Sequence, residues 1–233
     1  MLPRRRPRRT RRTRRPRRRT QRRRVRLTRN VNVRPFTRQL FPRRVSTKMI
    51  WSEVTDVVTA VNTPYTIVYS INGMNDPNIT VGSTHKPMGF NQMNPLYINY
   101  VVTGVKVIFE GSHTAAGGHQ LSLQAGTNGL TFFTAPSAIN EYRQAYSIMT
   151  SNQRPWRFSK YFSIASVLGV PRSTMLVDEN YWGQTAGSTN PPYGASMQFQ
   201  IANIDSSEQI NSQFTVTFVY YVTFFNNQVT SQS

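Results

Sequence analysis

The chain has 233 residues with 29 Lys and Arg against 9 Asp and Glu, a formal charge of +20, and no cysteine. The missing thiols exclude disulfides, a thiol nucleophile and a thiolate metal site, so the fold rests on packing and suits a reducing compartment. No apolar run approaches the roughly 18 residues of a membrane span and no secretory apolar region follows the start, so a soluble protein without membrane insertion is expected.

The charge is unevenly placed. Residues 1–48 hold 22 basic and no acidic side chains, whereas residues 49–233 hold the other seven bases and all nine acids, giving formal charges of +22 and −2. In "RRRPRRTRRTRRPRRRTQRRR", residues 4–24, fifteen of the 21 residues are arginine. Such a self-repelling stretch buries too little apolar surface to offset the entropy of ordering it, so residues 1–44 are expected to be a disordered arm. A guanidinium stays charged at any relevant pH and grips phosphate through parallel donors. The predicted nucleic-acid-binding residues are therefore Arg4, Arg5, Arg6, Arg8, Arg9, Arg11, Arg12, Arg14, Arg15, Arg17, Arg18, Arg19, Arg22, Arg23, Arg24, Arg26 and Arg29. No ring occurs before Phe36, so the arm neutralises backbone without reading bases. The same run fits a nuclear localisation signal. It lacks the amphipathic, Ser-rich character of a transit peptide.

Residues 45–233 read as one domain. Two-residue alternation of β-branched and aromatic side chains marks strands at 49–59, 65–71, 97–110, 119–125, 155–165, 196–204 and 214–225. The clearest is "FTVTFVYYVTFF", which places Phe214, Val216, Phe218, Tyr220, Val222 and Phe224 on one face. Turn chemistry separates the strands: "NTP" at 62–64, "NGMNDPN" at 72–78, "AAGG" at 115–118 and "GSTNPPYG" at 187–194. Residues 137–149 are the one plausible helix, with Ser137 as cap. Seven or eight strands, long loops and little helix predict an all-β protein. The length exceeds that of an immunoglobulin domain and suits a single eight-stranded antiparallel jelly roll.

Candidate chemistry is sparse. Glu110, His113 and His119 are close in sequence, but they straddle a strand end and a Gly-Gly turn and read as polar loop residues, so no metal site is predicted. There is no phosphate-binding Gly-rich loop, nucleophile elbow or paired-carboxylate motif, so neither catalysis nor a cofactor is expected. Asn78-Ile79-Thr80 matches a glycosylation sequon and is read as chance. In "RPWRFSKY", residues 154–161, cations alternate with rings, as on a single-strand binding surface. Arg154, Trp156, Arg157 and Lys160 are the second candidate nucleic-acid contact; an ordinary strand with one apolar face produces the same letters and is the favoured reading.

The stretch "VGSTHKPMGFNQMNPLYINYVVTGVKVIFEG", residues 81–111, resembles capsid proteins of circular, Rep-encoding single-stranded DNA viruses, the circovirus-like CRESS-DNA group. The positions that carry the likeness are Gly82, His85, Pro87, Gly89, Phe90 and Gln92 in a loop, then Tyr97, Tyr100, Val102, Gly104 and Lys106 in a strand. "VLGVPRST", "NPPYGASMQFQI" and the final aromatic strand follow in similar order, while Lys86 and Asn91 depart from the expected Gln and Asp. The resemblance implies a jelly-roll subunit, sixty copies of which close a T=1 shell around circular single-stranded DNA with the basic arm inward. It also implies a virion protein that visits the host nucleus through import factors and attaches to a host receptor. Sixty such arms would present on the order of 1,300 cations to phosphate. Two rivals remain open from the residues: a coat protein of a small or satellite RNA virus, and a monomeric nucleic-acid-binding protein with a basic tail.

Overall fold

Strand β9 (Asn211–Asn227) shows why this chain adopts sheet structure. Phe214, Val216, Phe218, Tyr220, Val222 and Phe224 are buried on one side of its pleat, and Thr215, Thr217, Val219, Tyr221 and Thr223 are partly exposed on the other. A helix would scatter both sets around its circumference. The computed structural model describes residues 42–82, 85–114, 117–128, 135–151, 154–187, 189–204 and 209–227.

The other strands are β1 (Arg44–Val58), β2 (Tyr65–Ser70), β3 (Tyr97–His113), β4 (Gly118–Thr127), β5 (Ala145–Ser151), β6 (Trp156–Ser163), the two-residue β7 (Gly183–Gln184) and β8 (Ala195–Asn203). Short helical turns sit in the connections: α1 (Phe90–Met93), α2 (Pro136–Glu141), α3 (Ile164–Leu168), α4 (Arg172–Met175) and a 3-10 turn at Glu179–Tyr181. One sheet has the order β1-β9-β3-β6, with β7 on the end of β3; the other has the order β2-β8-β4-β5. All of these pairs are antiparallel. No neighbours in the first sheet are consecutive in sequence, and β4–β5 is the sole consecutive pair in the second. These two interleaved four-strand orders are those of a jelly roll, so the predicted fold class holds. The first strand begins at Arg44.

One element differs from expectation. The helix predicted over 137–149 is confined to α2, which ends where Tyr142 turns extended (φ −79°, ψ 132°), and residues 145–151 form β5 instead. Their apolar spacing suited either element, and the partner decides. Strand β4 is bonded to β8 on one side, and β5 satisfies its other side from Gly118↔Ser151 to Gln124↔Ala145. β5 completes the eight-strand set.

The core lies between the sheets and is dominated by rings. Phe109 of β3 stacks on Phe199 of β8 with centroids 4.2 Å apart, and Trp51, Tyr69 and Phe218 cluster beside them at 5.2–5.9 Å. Each ring buries about 150–250 Å² on folding, which makes this inter-sheet layer the main source of stability. Two of the buried hydroxyls are paired: Tyr220 Oη donates to the Ser70 carbonyl at 3.0 Å, and Tyr100 Oη accepts from the Met74 amide at 3.2 Å.

Candidate nucleic-acid interface

The seventeen arm arginines, Arg4 through Arg29, lie outside the described residues. The second candidate stretch is resolved into two faces. Trp156 and Phe158 of β6 point between the sheets and are buried, so base stacking on either ring is closed. Lys160 shares their parity, half-buried, with its ammonium 5.4 Å from the Tyr146 ring. Arg157 faces outward and is paired with Glu110 on β3 at 2.7 Å; both side chains are largely exposed. Arg154 is exposed ahead of the strand. Arg154, Trp156, Arg157 and Lys160 thus do not share one surface, because successive strand residues take opposite sides of the sheet.

The exposed ring of that stretch is Tyr161, at the outward parity and 53% accessible. Strand register places it in a row that crosses the whole first sheet. Lys48 on β1 pairs with Tyr221 on β9, Tyr221 pairs with Gly104 on β3, and Tyr161 on β6 reaches over Gly104 to meet Tyr221 edge-to-face at 5.7 Å. A Cβ on Gly104 would overlap the Tyr161 hydroxyl, so the bare backbone makes room for the ring. Lys48 Nζ lies 5.2 Å from the Tyr221 centroid. Beside this row a groove of about 320 Å³ is lined by residues that include Ser46, Lys48, Thr103, Tyr161, Arg172 and Tyr221. Lys106 pairs directly with Tyr161 across β3 and β6 and is exposed.

Sequence reading missed this juxtaposition. Its members come from four strands and a helix start, from residue 48 to residue 221, and no local pattern links them.

The loop and strand at 81–111 serve architecture. Gly89 adopts φ 84°, open to glycine at little cost, and opens α1 so that Phe90 enters the core edge-to-face on Tyr100 at 5.4 Å. Trp51 Nε1 donates to the His85 carbonyl at 3.0 Å and its ring stacks on the His85 imidazole at 5.5 Å. The Met88 amide bonds the Ile50 carbonyl on the free side of β1, so the loop partly covers that sheet edge. The Asn78 amide is buried and donates to Glu53 Oε2 at 2.8 Å, which leaves the sequon side chain unpresented.

His113 and His119 correct the loop reading. They lie on β3 and β4, not in a loop, and are almost wholly buried with ring centroids 3.9 Å apart. Thr150 Oγ1 donates to the His119 carbonyl at 3.2 Å, so toward His113 Nε2, 2.9 Å away, it accepts. His113 is therefore the Nε2–H tautomer, and its Nδ1 accepts from the Ser212 hydroxyl. His119 Nδ1 donates to Asn203 Oδ1 at 2.7 Å, while His119 Nε2 and Trp156 Nε1 are buried without partners among the described residues. Burial, reinforced by the neighbouring His119, lowers the His113 pKa to about 4, so His113 is neutral near pH 7. Glu110 points outward to Arg157 and does not join the histidines. Among the described residues no three His, Cys, Asp or Glu side chains gather as metal ligands. Ser212 touches an imidazole but is buried, with no approach for a substrate. The cluster is a packing device.

No protein-family model matches the chain, and neither does any curated protein sequence. Solved structures similar to it include mud crab tombus-like virus, 13% identical over 81% of this chain and 92% of that one, with a TM-score of 0.48. A semi-empty virus-like particle of giant freshwater prawn Macrobrachium rosenbergii nodavirus is 12% identical over 79% and 95%, with a TM-score of 0.45. The decameric BFDV capsid protein is 14% identical over 79% and 100%, with a TM-score of 0.43. Likeness at this level carries no functional inference.

Proposed function

We propose that this chain is a viral coat protein: a jelly-roll subunit that assembles with copies of itself into a closed icosahedral shell and holds single-stranded nucleic acid through its arginine arm. The observation that carries the reading is the joining, in one chain, of an almost neutral jelly-roll body, residues 45–233 with eight bases and nine acids, to a segment, residues 1–44, of charge +21. A monomeric binder would gain by spreading cations over its body. Here the charge is almost all on the arm, which suits a subunit whose body meets other bodies while its arm meets phosphate. No constellation for catalysis is assembled among the described residues, and the proposed role is structural.

The finer reading follows the resemblance of residues 81–111 to circovirus-like capsid proteins: a T=1 shell of sixty subunits, circular single-stranded DNA as cargo, and delivery to the host nucleus by the same basic arm. Electron microscopy of expressed protein tests assembly, and nuclease treatment of the extracted cargo tests its chemistry. Closed particles whose nucleic acid is destroyed by DNase are expected. RNase-sensitive cargo would favour the RNA-virus reading, and a chain that stays monomeric at every salt and pH would remove the coat-protein reading.

A further inference from the structure

We propose that the outer face of the first sheet carries a base-stacking platform for single-stranded nucleic acid, formed by Tyr161 and Tyr221 and flanked by Lys48, Lys106 and Arg172. The proposal rests on the coat-protein reading for its occupant and adds to it a stacking contact that the arginine run, residues 4–29, has no aromatic ring to offer.

The groove combines what a single strand needs. Base stacking requires an exposed ring face, and Tyr161 is about half exposed because its contact with Tyr221 is edge-to-face. Phosphate requires fixed cations nearby. Lys48 and Arg172 line the groove, Lys106 is the cross-strand neighbour of Tyr161, and no acidic residue is among the lining side chains. The Ser46 and Thr223 hydroxyls, bonded to each other at 2.9 Å at its margin, are exposed and accessible to a sugar or phosphate oxygen. The acids on this face lie elsewhere: Glu110 is paired with Arg157, and Asp56, near the far end of β1, accepts from Gln213.

Chain connectivity points to the same occupant. The run of predicted phosphate contacts ends at Arg29, 19 residues before Lys48 in the same chain, so one polyanion can engage both. A second copy of this chain is the competing occupant. The exposed apolar residues of β1 that suit a protein partner, Ile50, Val54 and Val58, begin beyond Lys48, and Ile50 marks the boundary between an apolar half and a basic, aromatic half.

The experiment compares, with the full-length chain at one fixed salt concentration, binding of an oligothymidylate and of an abasic phosphodiester chain of equal length. Stacking predicts that the oligothymidylate binds tighter by on the order of tenfold. Tyr161→Ser should abolish that ratio while leaving affinity for the abasic chain unchanged, and Tyr161→Phe should keep it. Photo-crosslinking with 5-iodouracil in the oligonucleotide should label the peptides that hold Tyr161 or Tyr221. Equal binding of both probes by the unaltered chain, a ratio that survives Tyr161→Ser, or cross-links confined to residues 1–41 would overturn the platform while leaving the arm's role intact. Binding of neither probe would instead remove the nucleic-acid half of the proposed function, and this inference with it. If Tyr161→Ser prevents particle formation and leaves the ratio unchanged, the surface is a subunit contact and the platform is wrong.

Discussion

Two ring clusters share strand β6 and differ only in which side of the sheet they take. Trp156 and Phe158 turn inward, where Trp156 stacks on His113 at 5.6 Å and Phe158 on Phe109 at 5.3 Å. Tyr161, outward by parity, lies on Tyr221 beside Lys48. The same run of letters, "RPWRFSKY", therefore supplies both a closed core layer and an open polar surface. Composition alone does not mark a binding surface in a strand. Parity does, because successive Cβ atoms face opposite ways.

The largest effect that sharpens this comparison belongs to the inward cluster. Trp156→Ala should destabilise the body by about 3–5 kcal/mol, the usual cost of deleting a large buried ring, and Tyr161→Ala by less than ~0.5 kcal/mol. Denaturant titration of both variants measures the difference; equal losses would mean that the inward and outward assignments are wrong.

Next comes acid. The His113 pKa is lowered to about 4 in the folded chain from the 6.5 of an unburied imidazole. Between those values the unfolded chain binds a proton that the folded one refuses, so the stabilisation is complete above about pH 6.5 and is lost as pH falls toward 4. The groups recorded against this imidazole are His119, Ser212, Thr150 and Trp156, and none offsets a new positive charge. His113→Gln should flatten the thermal-melting difference between pH 7 and pH 4.5 by on the order of a few degrees. A variant that loses as much as the unaltered chain over that range would place the acid sensitivity in the carboxylates.

A smaller effect is expected at Gly104. Gly104→Ala forces the Tyr161 ring off its seat, so the body should fold with a modest loss of about 1 kcal/mol while the preference for oligothymidylate over an abasic chain disappears. An unchanged preference would show that the ring works from another position. The smallest belongs to the exposed pair: Arg157→Gln should shift stability by ~0–1 kcal/mol, visible only at low salt. A loss above 2 kcal/mol in denaturant titration would show that the pair is structural.

Much of the fold was legible because strands with one buried face write a two-residue period into the chain. Seven of the eight principal strands were located that way, and their number with the body's length pointed to the jelly roll. β5 was not legible: "SAINEYRQAYSIM" spaces Ala138, Ile139, Tyr142 and Tyr146 as a helix does, and only the open side of β4 makes its second half a strand. The histidines misled for a related reason. His113 and His119 flank a Gly-containing turn in sequence, yet both belong to strands that run into it and meet face to face. Gln198 and Gln200 alternate with apolar neighbours as solvent-facing residues do, and both are buried.

The amino-acid sequence by itself determined the partition of charge, the absence of thiol chemistry, the β character of the body and the use of arginine almost to the exclusion of lysine in the arm. All four depend on composition or on spacing along a few residues, which no folding can alter. Tertiary structure decided which rings are closed and which are open, that His113 is neutral near pH 7, and that Lys48, Gly104, Tyr161 and Tyr221 share one row. Those are properties of strand pairing across 173 residues, set by which hydrogen-bonding edges meet and which face of each pleat the core takes.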